Sequence, residues 1–204
     1  MGKVEENKRL KRGAILDAAL QLFTDQGLNK TSISDIAARS GVAKGTFYLY
    51  FKDKYDIRNK LVIRQSRRLL MDAYAAMQSK TFHSLEEQFV FITNHILDQL
   101  ASHHDLLILL SRNLSWGIIK QEFSHADQDD QDVLQTFNTM TRQHGISDTD
   151  SAIMFYLLIE LAGPAGCNAI LYQNPCDLET LKPYLFESVR RIVRQFEEKS
   201  QISE

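Results

Sequence analysis

Apolar residues recur at steps of three and four along nearly the whole chain, which predicts helices throughout. Ile15, Ala18, Ala19, Leu22 and Phe23 make the first stripe, and Ile33, Ile36 and Ala37 a short second one. Phe47 and Phe51, four apart, share the inner face of a third helix over about 43–49. After Lys54, a register of Ile57, Leu61, Ile63, Leu70, Ala73 and Met77 carries a long helix to about residue 79. Further helices are expected over 85–100, 105–120 (holding Trp116), 128–144, 148–171, and from 177 or 180 to about 199. Pro164 falls inside the helix over 148–171 and should kink or break it. No strand alternation, internal repeat or low-complexity tract stands out. The fold class expected is all-α, with three N-terminal helices followed by a larger helical region.

Residues 31–54 carry the most specific chemistry. Ser32 and Asp35 form a Ser-x-x-Asp cap, so a helix should begin at Ile33. Gly41 stands where a chain leaving a helix takes up the left-handed conformation, and Val42 plugs the turn. With Phe47 and Phe51 inward, Lys44, Thr46, Tyr48 and Tyr50 can project outward. Lys44 can reach a guanine edge or a phosphate, Thr46 a phosphate or a thymine methyl, and the tyrosine hydroxyls phosphate oxygens. This is the layout of a helix-turn-helix, over about 32–51, that reads double-stranded DNA. An ordinary helical hairpin with solvated polar residues leaves the two tyrosines and the flanking lysines without a role. It also leaves unexplained Gly45, which costs about 1 kcal/mol relative to Ala inside a helix.

Charge sharpens the picture. Residues 1–60 hold 12 Lys/Arg against 7 Asp/Glu, net +5, and residues 61–204 hold 12 against 19, net −7. The basic part coincides with the helix-turn-helix and can neutralise phosphates, whereas the acidic remainder favours no polyanion. Lys3, Lys8, Arg9, Lys11 and Arg12 make a charged start, either a solvated tail or an arm that reaches DNA. Those first twelve residues lack an apolar core, so no signal peptide is expected. Cys167 and Cys176 give neither a disulfide framework nor a metal spacing, which fits a reducing cytoplasm. The uninterrupted apolar runs at 106–110 and 152–159 are too short to span a bilayer. No catalytic or nucleotide-loop motif occurs. His103 and His104 are adjacent and cannot share a helix face as zinc ligands, and the acidic run at 127–132 lacks the glycine and final glutamate of a calcium loop. Neither an enzyme nor a cofactor is expected.

The run Gly41-Val42-Ala43-Lys44-Gly45-Thr46-Phe47-Tyr48-Leu49-Tyr50-Phe51, followed by Lys54, resembles the signature of the tetracycline-repressor (TetR) family of bacterial transcriptional regulators. The resemblance covers about residues 9–69 and includes the first stripe through Gly27. It implies a DNA-binding domain over 9–69 and a helical effector-binding and dimerisation domain over 70–204. It also implies DNA contacts at Ser32, Lys44, Gly45, Thr46, Tyr48, Tyr50 and Lys54. Two positions depart from the pattern: Ala43 stands where many relatives carry a capping Ser, and Leu49 where some place a Tyr that touches DNA. The implied function is a repressor that binds a palindromic operator as a homodimer and is released by a small molecule. The alternative is a helical DNA-architectural or protein-interaction module without effector control. A dimer through the last two helices would use Leu185, Val189, Ile192, Val193 and Phe196 of the final stripe, with Ala162 and Gly166 on the helix before it. Those stripes can equally bury in the monomer core. An effector site among the middle helices would draw on Phe89, Trp116, Phe137, Phe155 and Tyr156, which can equally be plain core. Glu160 interrupts an apolar run and must be paired, exposed or awaiting a ligand.

Overall fold

The computed structural model describes residues 2–113 and 133–202, and among them every regular element is a helix. In chain order these are α1 (Lys3–Lys30), α2 (Ile33–Arg39), α3 (Lys44–Phe47), α4 (Lys54–Gln78), α5 (Leu85–Ser102), α6 (His104–Asn113), α7 (Val133–Arg142), α8 (Asp148–Tyr172) and α9 (Leu178–Ile202). The chain divides into two compact units, Met1–Arg64 and Gln65–Glu204, with the boundary falling inside α4.

In the N-terminal unit, α1, which buries Ile15, Leu16, Ala18, Ala19 and Leu22, packs on α2, where Ile36 and Ala37 are buried, and α2 packs on α3, where Phe47 is buried beside Phe51. The helix begins at Lys3, so the basic start is helical, and its first nine residues are exposed. Near the other end, Gly27 leaves helical geometry at φ +82, a conformation that needs no Cβ. Thr31 then anchors the exit. Its side chain is buried, and its hydroxyl lies 2.9 Å from the Gly27 carbonyl and 3.3 Å from that of Leu22.

The C-terminal unit is built around one apolar cluster that includes Met77, Leu85, Phe89, Val133, Phe137, Met140, Met154, Phe155, Leu158, Val189, Val193 and Phe196. Its centre is aromatic: Phe137 packs on Phe89 at 5.0 Å and on Phe155 at 4.7 Å between ring centroids. α9 packs against both α5 and α8. Ion pairs run along these seams, with Arg194 forked onto Glu86 at 3.0 Å and Lys182 on Asp98 at 2.8 Å. Being at least partly exposed, such pairs align the helices more than they stabilise them.

α8 runs unbroken through Pro164, where a kink or break was expected. The ring sits on the exposed side, as does Glu160, whose carbonyl loses its usual N–H donor to the proline. By length and composition this helix could cross a membrane, with mean hydropathy 1.5 over 18 residues. The expectation from uninterrupted runs missed this because Glu160 divides the stretch. Ser151, Met154, Phe155 and Leu158 nevertheless lie buried within the unit, and a core helix passes the same test.

Candidate functional site

The helix-turn-helix is assembled by local hydrogen bonds that the sequence specifies. Ser32 caps α2 reciprocally: its hydroxyl accepts from the Asp35 N–H at 3.1 Å, while the Asp35 carboxylate accepts from the Ser32 N–H at 2.9 Å. The Ser32 backbone donor, then its hydroxyl, hold the Asp35 carboxyl below its ordinary pKa. The hydroxyl also donates to that carboxylate at 2.7 Å. Ser32 is exposed, but its one proton is already used in the cap, so a phosphate contact through that proton would have to break it.

α2 ends as expected at Gly41, with φ +70. The Val42 N–H reaches back to the Ala37 carbonyl at 3.0 Å, and the Gly41 N–H to that of Ala38 at 3.2 Å, closing the turn. Ala43 then opens α3 without a side-chain cap. The regular part of α3 is only four residues long, shorter than the pattern suggested, and tighter turns carry it on. The Leu49 N–H bonds the Thr46 carbonyl at 3.2 Å and the Tyr50 N–H that of Phe47 at 3.0 Å. Phe47 and Phe51, 0% and 2% exposed, pin both ends of this segment to the core.

Among the predicted contact residues, Lys44, Gly45 and Tyr48 are exposed, and Thr46 and Tyr50 half-buried. Tyr48 stands edge-on against Phe47, centroids 5.6 Å apart, and the residue stays 52% exposed. A Cβ built on Gly45 would meet nothing within 4 Å, so its flank of the turn is bare backbone. One further residue belongs to this face and escaped the periodicity reading. Leu49, 80% exposed, lies between the anchors on the side opposite them. Its spacing, two residues from each buried phenylalanine, points the same way as the family resemblance at this position.

Lys54 is placed differently from the others. Its ammonium donates to the carbonyls of Leu28 at 3.1 Å and of Asn29 and Thr31 at 3.4 Å, gathering the backbone just after Gly27. The cation also lies 5.9 Å from the Tyr55 ring, which Arg58 approaches to 5.5 Å. Three acceptors saturate an ammonium's three protons. Lys54→Met is therefore expected to destabilise the N-terminal unit by roughly 1–2 kcal/mol through the lost charged hydrogen bonds. The salt dependence of DNA binding should stay unchanged. A slope lower by about one, with an unaltered melting temperature, would instead make Lys54 a phosphate contact.

Most described residues of the other two predicted sites are buried within the chain itself. Phe89, Phe137 and Phe155 are buried against one another in the core, Glu160 is exposed, Tyr156 is 38% exposed, and Trp116 lies outside the described residues. An open cavity of about 550 Å³ is lined by Met71, Tyr74, Ala75 and Gln78 of α4 with Thr136 and Thr139 of α7. The residues expected at a dimer interface also turn inward. Leu185, Val189, Val193 and Phe196 are buried in their own monomer, and Ile192 is partly buried against the same cluster. Gly166 faces Leu97 so closely that a Cβ would sit 2.2 Å from its Cδ2, and Ala162 is half-buried. The large apolar residues that α8 presents outward are Ile153, Tyr156 and Leu157 and, at its end, Tyr172.

Residues 15–61 match the sequence profile of the bacterial regulatory proteins of the tetR family. The fatty acid metabolism regulator protein of Bacillus subtilis (strain 168) is 30% identical over 109 residues, which is 53% of this chain and 55% of that protein. The chain thus spans about half the length of the curated relatives it matches first. The fold as a whole resembles the fatty acid degradation regulator FadR of Bacillus halodurans, with TM-score 0.61 and 22% identity over 88% of this chain and 94% of that one. It also resembles FadR of Bacillus subtilis in complex with stearoyl-CoA, with TM-score 0.57 and 22% identity over 86% and 96% of the two chains.

Proposed function

We propose, for a chain whose N-terminal unit belongs to the tetR family of bacterial regulatory proteins, a cytoplasmic transcriptional repressor that binds a palindromic operator as a homodimer and is released by a small-molecule effector. The observation that carries this reading is the outward face of Lys44, Gly45, Tyr48 and Leu49 on a capped, doubly anchored turn, within the stretch of net charge +5. Lys44 supplies charge for a guanine edge or a phosphate, the Tyr48 hydroxyl bonds a phosphate oxygen, and Gly45 lets the backbone come close. Regulation by binding asks for no catalytic residue.

Two-fold binding needs a second copy. Its seat is the exposed α8 face of Ile153, Tyr156 and Leu157, which run at helical spacing and are 46%, 38% and 37% exposed. Covering that strip also accounts for the apolar character of a helix that buries only part of its surface in its own unit.

The effector reading draws on the relative solved with stearoyl-CoA and on the cavity between α4 and α7. Met71 and Ala75 offer an acyl chain an apolar wall, while Tyr74, Gln78 and the threonines offer polar groups to its head. A long-chain acyl thioester is thus the first effector to test. The packed Phe89–Phe137–Phe155 centre favours the effector-free alternative. The deciding experiment retrieves bound fragments from the organism's own DNA, then adds stearoyl-CoA. A rise in melting temperature together with release of the retrieved operator is expected. Release requires the ligand to prefer one state, and a hundredfold preference is worth about 2.7 kcal/mol. Operator binding indifferent to the ligand would support the alternative, and failure to enrich any fragment would end the regulator reading.

A further inference from the structure

We infer that Leu49 is a specificity-determining residue that reads thymine methyl groups in the major groove, an inference that rests on the DNA-binding reading above. Among the described residues of the N-terminal unit, no large hydrophobic side chain is more exposed than Leu49, at 80%. It is not a loose loop residue. Its N–H is bonded to the Thr46 carbonyl, the next two N–H groups are bonded to the Phe47 carbonyl at 3.0 Å, and the flanking phenylalanines are buried. An apolar side chain is thus held outward on a fixed backbone.

The neighbouring positions define what can meet it. Gly45 lies one turn earlier, and the space where its side chain would stand is open, so the approach to Leu49 from that side is unobstructed. Lys44 and Tyr48, exposed on the same short segment, supply polar and charged groups for phosphates and base edges. Leucine can bond neither. The one apolar group that a major groove displays is the C5-methyl of thymine, whereas the other base edges present donors and acceptors that a leucine would strip of water without replacing it. Leu49 therefore favours thymine by contact and disfavours the other bases by desolvation.

The test uses an operator selected from random duplexes by the full-length protein, with each thymine then replaced singly by uracil, which removes only the methyl. The wild type is expected to lose about fourfold in affinity at one or two positions, the worth of one buried methyl. Leu49→Ala should bind the thymine and uracil forms of those positions equally. It should also retain the wild-type melting temperature and salt dependence, because neither a core contact nor a phosphate contact is removed. Uracil penalties of the same size in Leu49→Ala and wild type would overturn the assignment, as would a surface that instead captures a protein partner without contacting DNA. If the wild type selects no duplex, the DNA-binding reading itself fails, and this inference with it.

Discussion

Val189→Glu is expected to unfold the C-terminal unit rather than divide a dimer into folded halves. Val189 has no exposed surface and belongs to the aromatic-centred cluster with Phe137, Phe155 and Val193. Placing a carboxylate there without a partner costs roughly 3–5 kcal/mol, a large share of the 5–15 kcal/mol that holds an average domain together. Calorimetry and near-ultraviolet circular dichroism should show a lowered or lost transition at all protein concentrations. Leu157→Glu is the complement: its side chain is already 37% exposed, so folding should survive while sedimentation shifts toward the monomer. A Val189→Glu protein that melts like wild type but sediments as a monomer would restore the last helix as the subunit contact.

Gly45→Ala should raise stability and lower DNA affinity at once. The residue sits in α3 with a backbone any amino acid can adopt, and a methyl there meets nothing within 4 Å. Replacing glycine by alanine in such a place stabilises a helix by about 0.5–1 kcal/mol. The same methyl would stand where the duplex approaches. A loss of roughly tenfold in operator affinity is expected, about 1.4 kcal/mol. Opposite signs in the two measurements separate a binding role from a folding role. Equal or better operator binding by the variant would take Gly45 out of the interface.

Local rules were legible in the sequence wherever one residue type answers one geometric need. Ser32 and Asp35 predicted the start of α2, and Gly41 its end. The paired phenylalanines predicted which side of the third segment would be buried. The period also marked the longer helices, such as α4 and α5, although not the short extent of α3. Periodicity does not say what covers a stripe. The stripe of Leu185, Val189, Val193 and Phe196 reads the same whether α5 and α8 cover it or a second chain does, and it is α5 and α8 of the same chain. Likewise, the spacing of Phe89, Phe137 and Phe155 cannot tell a lined cavity from a filled one. Lys54 was hidden for another reason. Its partners are carbonyls some 25 residues earlier in the chain, and carbonyls carry no mark in a sequence.

The alternation of buried and outward residues in the short turn has a consequence for how operator preference can change. Phe47 and Phe51 hold the segment in place, while Lys44 and Leu49 take little part in doing so. Mutation at the outward positions is therefore nearly free of folding cost, and the two labels a lineage must keep, fold and address, are written in separate letters. A duplicated gene can acquire a new binding site through a handful of individually tolerated substitutions, and each intermediate along that route is a folded protein.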